Sequence, residues 1–274
     1  MQGSPIFTRS IGRSVEGREI IVHANFDFAV SPPRNSALLI GGTHGNEPAT
    51  VRVLEDYLQS SAWEALRQFP TMVLALANPD GAERATRYNA RGVDLNRNCG
   101  FNWRSECEEP PGPAPWSEPE SVALRDFILG WHPAKIVSLH WALAEIDADG
   151  VQSTSLAQAM WNSLDEKGRR PYRLRVTEPG RGQRRLERIY AACPGSVGQW
   201  CGYGLEYNDG TAPAMITLEL PYDPGAEARP DELPDDHLDT VRALWKNDAA
   251  GYLRGIEPGV HAMLATAIRF PAHS

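Results

Sequence analysis

Between Ala37 and Thr50 the chain reads ALLIGGTHGNEPAT, and this stretch constrains the fold more than any other. The apolar run from Ala37 to Ile40 predicts a short buried strand, and Gly41-Gly42-Thr43 ends it where the backbone must turn sharply. Directly beyond the turn stand His44 and Glu47, an imidazole and a carboxylate, both ordinary zinc ligands. A divalent ion held by these two still needs a third protein ligand and an open position for water before it can catalyse. From Pro48 to Leu58, apolar residues at Val51, Val53, Leu54, Tyr57 and Leu58 mark one face of a helix with a proline at its start. That helix would hold the His44 to Glu47 loop against the sheet. A second buried strand is predicted over Thr71 to Ala77, ended by the turn Asn78-Pro79-Asp80-Gly81. Strand, helix and strand of these lengths predict a right-handed βαβ crossover with parallel strands, and hence an α/β fold.

In an open α/β sheet, ligands bind beyond the carboxyl ends of the parallel strands, which directs the search for the missing groups. A third run, Lys135 to Leu139, finishes at His140. A fourth, Ala214 to Leu220 (AMITLEL), carries Glu219 near its end, and a carboxylate in so apolar a run is costly to bury unless it is paired or used. His44, Glu47 and His140 give two imidazoles and one carboxylate, a set that catalytic zinc uses in peptide hydrolysis. Glu219 is then the candidate general base for water activated by the ion. The other histidines compete poorly. His23 falls in an edge hairpin predicted over residues 6 to 30, His132 precedes a proline, and His237, His261 and His273 sit in the acidic or terminal portion.

The segment from Ala82 to Trp116 is polar, arginine-rich and then proline-rich, and an irregular stretch of that length is uncommon in a compact domain unless it has a task. Within it, RGVDLNRN (91 to 98) sets Asn96 beside Arg97, an amide and a guanidinium fork able to close on a carboxylate. Ser117-Glu118-Pro119-Glu120 has the form of a capping box opening a helix with Val122, Leu124, Phe127, Ile128 and Leu129. Residues 151 to 192 predict a helix and then an arginine-rich surface stretch, Arg169 to Arg188. PGSVGQW, from Pro194 to Trp200, predicts a tight turn into a short helix, its small residues suited to close approach of a ligand or another backbone. From Asp235 a final amphipathic helix through Leu238, Val241, Leu244 and Trp245 is expected to pack across the sheet.

Composition narrows the function classes. A chain of 274 residues with 42% hydrophobic residues can bury a sizeable core. A formal net charge of -8 without a basic block argues against nucleic acid as the main partner. Cys99, Cys107, Cys193 and Cys201 contain no CxxC pair, so the spacing of a structural zinc site is missing. Free thiols in a reducing compartment are expected, with Cys99–Cys107 and Cys193–Cys201 as the pairs a bridge could join. The N-terminal residues lack the apolar core of a signal peptide, and no run approaches the ~20 apolar residues of a membrane span. No membrane partner and a cytoplasmic location are therefore expected.

GRSVEGREI at 12 to 20, GGTHGNE at 41 to 47, NPDG at 78 to 81, RGVDLNRN at 91 to 98, SLH at 138 to 140 and ITLEL at 216 to 220 occur in this order. Through them the chain resembles, over nearly its whole length, the zinc carboxypeptidases of the carboxypeptidase A superfamily. Within that superfamily it is most similar to the bacterial murein peptide amidases, which share a PGSEPE-like segment (PWSEPE, 115 to 120) and a PGSxGxWC segment (Pro194 to Cys201). The resemblance implies an α/β fold in one domain over residues 1 to 274, its central sheet mixed but mostly parallel, with helices on both faces. It implies one Zn2+ per chain on His44, Glu47 and His140, with Glu219 as the base. Arg87, seven residues before Asp94, matches the arginine that polarises the scissile carbonyl, with Arg84 and Arg91 close to it in sequence. Asn96 and Arg97 match the pair that grips a substrate's free carboxylate.

The implied substrate is a small peptide, a cell-wall muropeptide cut between γ-D-glutamate and meso-diaminopimelate. Two positions depart from the family pattern. Trp141 follows the third ligand and would reshape the pocket beside the metal, and Cys99-Gly100 stands where Phe-Pro usually follows the arginine-asparagine pair. Tyr203 and Tyr207 are the candidates for a tyrosine that closes over substrate. Two other readings remain at this level: an N-acyl amino acid amidohydrolase of the desuccinylase and aspartoacylase type, and a metal-free peptide-binding module. An intact ligand set together with Glu219 speaks against the second.

Overall fold

The computed structural model describes residues 6–176, 194–224 and 236–271. Eight strands form one mixed sheet: β1 (Phe7–Arg13), β2 (Glu19–Ala24), β3 (Ala37–Ile40), β4 (Thr71–Leu74), β5 (Lys135–Trp141), β6 (Glu145–Asp149), β7 (Arg173–Arg175) and β8 (Ala214–Leu220). Their spatial order is β1-β2-β4-β3-β5-β8-β6-β7. The inner strands β4, β3, β5 and β8 run parallel, as the βαβ reading requires. The predicted hairpin β1–β2 joins one side antiparallel, and β6 joins β8 antiparallel on the other. Every side chain of β3 is buried, the pattern of a strand covered on both faces.

Five helices supply that cover: α1 (Pro48–Leu58), α2 (Pro119–Trp131), α3 (Thr154–Asn162), α4 (Val197–Gln199) and α5 (His237–Arg269). α1, α3 and α5 pack over Leu39, Val73, Val137 and Ile216. α2 and α4 pack over the alternate residues Leu38, Met72, Ile136 and Met215 on the opposite face. α1 holds the turn before it through Thr50, whose hydroxyl accepts from Gly42 N–H at 3.0 Å and donates to the Glu47 carbonyl at 2.8 Å. No helix among the described residues is long and apolar enough to cross a membrane.

Several elements differ from the sequence reading. β4 stops at Leu74, and Asn78-Pro79-Asp80-Gly81 opens a one-turn helix, Pro79–Glu83, because Asn78 Oδ1 accepts from Gly81 N–H at 2.9 Å as an N-cap. Ser117 is not a capping residue. Its hydroxyl accepts from Asn98 Nδ2 at 2.9 Å and donates to Glu118 Oε1 at 2.8 Å, and Glu118 takes the cap position without a side-chain bond. α5 bends at Asp248 and contains Pro258; Leu238 and Leu244 stay exposed, so the packing falls to Val241, Trp245 and residues from Tyr252 to Ile268. β6 and β7 are unannounced by the sequence pattern. The arginine-rich stretch beyond Val176, Cys193 and His273 lie outside the described residues, while Cys99, Cys107 and Cys201 carry free thiols.

β5 continues past Leu139 to Trp141, and this corrects the expectation for the tryptophan. Successive strand residues point to opposite faces, so His140 and Trp141 cannot share a pocket. Trp141 packs under α5, its indole N–H donating to Tyr252 Oη at 2.7 Å and its ring edge-on to Trp245 and Tyr252. Trp141→Phe should cost about 1–3 kcal/mol through the lost hydrogen bond and volume. It should leave the bound-metal content unchanged. Urea denaturation and metal analysis check both, and a fall in metal content would show that the indole supports the other face after all.

Candidate metal centre

Three elements converge beyond the carboxyl ends of the parallel strands. The turn after β3 brings His44, the start of α1 brings Glu47, and the end of β5 brings His140, all buried. One donor atom from each lies within 4.8 Å of the others. His44 Nδ1 is 2.7 Å from Glu47 Oε1, and His140 Nδ1 is 3.4 Å from Glu47 Oε2. Glu47 Oε2 is enclosed and makes no hydrogen bond. A buried carboxylate with one imidazole nitrogen against each oxygen, and with one of those oxygens lacking a donor, is an arrangement a cation would complete, and the N, N, O donor set suits zinc. The outer ring nitrogens are also tied: His44 Nε2 to Asp94 Oδ1 at 3.2 Å, and His140 Nε2 to Ser138 Oγ at 3.2 Å. Such outer contacts fix ring orientation and tautomer.

Glu219 meets this group through strand register. It is paired with His140 across β5 and β8, so both side chains rise from the same face of the sheet on neighbouring strands. Its Oε2 accepts from Leu143 N–H at 3.3 Å. Burial, followed by the negative charge of Glu47, pushes its carboxyl well above the usual range. Burial also acts on His44, in the opposite sense, but Glu47 and Asp94 outweigh it and push His44 up to about 9. Glu47 is pulled down by His44 and His140 against its own burial, and His140 is lowered chiefly by burial.

Asp94 is the residue that the sequence reading passed over. Buried completely, it meets His44 through Oδ1, accepts there also from Asn96 N–H at 2.8 Å, and accepts from Arg87 Nε through Oδ2 at 2.8 Å. Arg87 thus stands beside the cluster, its Nη1 3.4 Å from His44 Nδ1. Arg84 and Arg91 do not, since they pair with Glu16 and Glu118. Glu109, at 3.6 Å from Arg87 Nε and holding the Tyr88 hydroxyl, flanks the guanidinium on its other side. Ser138 was legible in retrospect, because two residues before His140 on one strand means the same face.

Asn96 and Arg97 sit in the short turn Leu95–Arg97, capped by Asp94. Val197 N–H donates to Asn96 Oδ1 at 3.0 Å, which commits the amide oxygen and leaves the NH2 as the group that can donate to a ligand. Arg97 Nη1 donates to the Asn96 carbonyl at 2.7 Å, so both groups occupy one corner. Cys99-Gly100 supports this corner: Cys99 is buried with its N–H on the Gly195 carbonyl at 2.8 Å, and any Cβ at Gly100 would collide with the Trp116 indole nitrogen. Tyr207 cannot close over the site. Its hydroxyl donates to Pro133 O at 2.9 Å and its ring stacks on His132, at the far end of β5.

Against known proteins, the family model described as zinc carboxypeptidase matches residues 4–146. That span holds His44, Glu47, Arg87, Asn96, Arg97 and His140 but not Glu219. The chain is 35% identical over 214 residues to murein peptide amidase A of Escherichia coli K12, covering 72% of this chain and 77% of that protein. It is 29% identical over 255 residues to murein peptide amidase A of Vibrio campbellii, covering 87% of each. The crystal structure of murein-tripeptide amidase from Escherichia coli O157 is similar with a TM-score of 0.57 at 29% identity, over 88% of this chain and 92% of that one.

The raised His44 gives a test of the site without turnover. An imidazole ligates only when its ligating nitrogen is unprotonated, so zinc entering the metal-free protein below pH about 9 must displace a proton from His44. Calorimetric titration at pH 7.5 in buffers of different ionisation enthalpy should read between one and two protons released per zinc, one from His44 and the rest from Glu219, which burial and Glu47 also raise. Because the folded value lies above the ordinary 6.5, the stability that His44 lends the metal-free protein is full below 6.5 and lost as pH rises through about 9. Denaturant melts of chelator-treated protein across that range should fall, and a flat profile would refute the His44–carboxylate pairing.

Proposed function

The chain belongs to the zinc carboxypeptidase family and is a hydrolase, and from that premise we propose that it cleaves the amide bond preceding a free carboxylate in a cell-wall peptide, between γ-D-glutamate and meso-diaminopimelate. The convergence of His44, Glu47 and His140 around an undonated carboxylate oxygen, with Glu219 in register beside them, carries the reading. In it, His44, Glu47 and His140 hold one Zn2+, which when bound supplies a Lewis acid that polarises a carbonyl and acidifies water. Glu219 takes a proton from the attacking water and returns it to the leaving amine. Its packed, carboxylate-rich surroundings favour holding that proton between the two transfers. Arg87, aimed by Asp94, donates to the carbonyl oxygen as negative charge develops there.

Asn96 and Arg97 receive the substrate's free carboxylate. An internal peptide bond offers no anion at that corner, leaving an amide and a guanidinium without their partner at a cost of about 1–3 kcal/mol. That cost rejects endopeptidase cleavage. Recycling of wall peptides would set the enzyme in the cytoplasm, which its free thiols suit.

Incubation with L-Ala-γ-D-Glu-meso-diaminopimelate beside an all-α peptide of similar length, read by mass spectrometry, tests the substrate. Diaminopimelate should be released well ahead of any residue from the α-peptide, and its carboxyl-amidated form should be spared. Equal cutting of both peptides would favour general trimming. Glu219→Gln should keep its zinc and lose about 100- to 10,000-fold in kcat. Near-normal turnover would remove Glu219 from the mechanism.

A further inference from the structure

The arginine-rich stretch that starts at Arg169 has no part in the reaction described above. The single helical turn Glu166–Arg169 and the residues around it border a cavity of about 740 Å³, which α5 borders as well, together with Pro221 and Pro224 beyond the end of β8. Two glycines of α5 allow the close approach that bounds it: a Cβ at Gly255 would sit 2.8 Å from Pro224 Cβ, and one at Gly259 would sit 3.3 Å from Leu164 Cδ2. No residue of the metal centre lines this space.

Its charge runs against that of the molecule. The chain carries a formal net charge of -8, yet the charged side chains lining the cavity are Lys167, Arg170 and Arg254 against Asp165 alone. Asp165 is already committed, since its Oδ1 accepts from Gly168 N–H at 2.7 Å as the N-cap of the short turn. Arg170 reaches Glu166 at 3.4 Å and Arg254 reaches Asp248 at 3.8 Å, but both carboxylates are largely exposed, and pairs of that kind contribute little. Lys167 has no ion pair among the described residues.

A buried donor stands with these cations. Tyr172 also lines the cavity and is 7% exposed, and its hydroxyl is enclosed without a hydrogen-bond partner. Burial pushes its ionisation up, so the hydroxyl keeps its proton and can donate. An unmet buried donor is costly, and a ligand oxygen would meet it.

We propose that this cavity is a binding site for a compact phosphate-bearing ligand, with Lys167, Arg170 and Arg254 taking its charge and the Tyr172 hydroxyl donating to one of its oxygens. Guanidinium forks match phosphate oxygens in pairs, and three cations suit a dianion better than a single carboxylate. The volume falls within the roughly 300–1,000 Å³ of small-molecule sites. The site is independent of the reaction proposed above, because none of its residues holds metal or substrate there.

The test is calorimetric titration of the zinc-loaded protein with inorganic phosphate, at pH about 8 and low salt, where the ion is largely dianionic and little screened. The variant Lys167→Ala/Arg170→Ala/Arg254→Ala should bind one phosphate fewer per chain, with zinc content and hydrolytic rate unchanged. Counting the loss per chain separates this site from any phosphate held at the metal. Tyr172→Phe should weaken the same site by about tenfold while its thermal midpoint stays level or rises, since the hydroxyl it removes has no partner in the protein. Succinate, a dianion without the phosphate geometry, should bind more weakly than phosphate. No phosphate site in the unmodified protein, a phosphate count that survives the triple variant, an affinity unchanged in Tyr172→Phe, or succinate bound as tightly as phosphate each overturns the proposal.

Discussion

The Asp94 carboxylate is the contact on which the site depends. One buried group orients the His44 imidazole, the Arg87 guanidinium and the turn that presents Asn96 and Arg97. Burial alone would drive Asp94 to its neutral form, but His44, Arg87 and Arg97 keep it ionised and far below the ordinary carboxylate range. The dependence is mutual, because the three cations cannot be held in those directions without the anion between them. Replacing Asp94 would release the His44 imidazole, the Arg87 guanidinium and the Asn96–Arg97 turn together, which is why substitutions of these residues should not add.

A carboxylate can do this only if the irregular segment carrying it is rigid, and side-chain amides supply the rigidity that regular secondary structure supplies elsewhere. Asn89 accepts from Arg91 and Val93 N–H through its oxygen and donates to Glu118 and Glu120 through its nitrogen. Asn98 donates to Pro111 O, Ala114 O and Ser117 Oγ and accepts from Glu118 N–H. Both amides are buried, where each unmet donor or acceptor would be costly, so the loop has one satisfied arrangement. The sheet provides the complementary precision: register between β5 and β8 sets His140 against Glu219, and register between β8 and β6 sets Thr217 against Asp147, with no loop involved.

This division explains what was legible in the sequence. His44, Glu47, His140 and Glu219 could be read because strand ends are recognisable from apolar runs, and the chemistry of an α/β sheet gathers at those ends. The bounds of α1 and β8 followed from the same periodicity. Asp94 escaped because nothing in RGVDLNRN distinguishes a buried hub from a solvated aspartate; its role exists only through partners fifty positions and seven positions away. Trp141 follows His140 in sequence but not in space, since adjacent residues on a strand point to opposite faces. β6 was invisible for a related reason. Its pattern EIDAD looks like a polar surface segment, yet the acids face the site and the isoleucine and alanine face the core.

The charge balance of the centre also argues for what it must take in. Glu219 lies in packed surroundings where the charge of Glu47 raises the cost of ionising it, and His44 offsets only part of that effect. A divalent cation on Glu47 would change the sign of the field at Glu219, replacing a neighbouring negative charge by a net positive one. Glu219 would then give up its proton near neutral pH, as a base must before it can accept one from water. In the function proposed above, occupancy of His44, Glu47 and His140 would thus set the strength of Glu219 as a base more than the hydrogen bond from Leu143 N–H does.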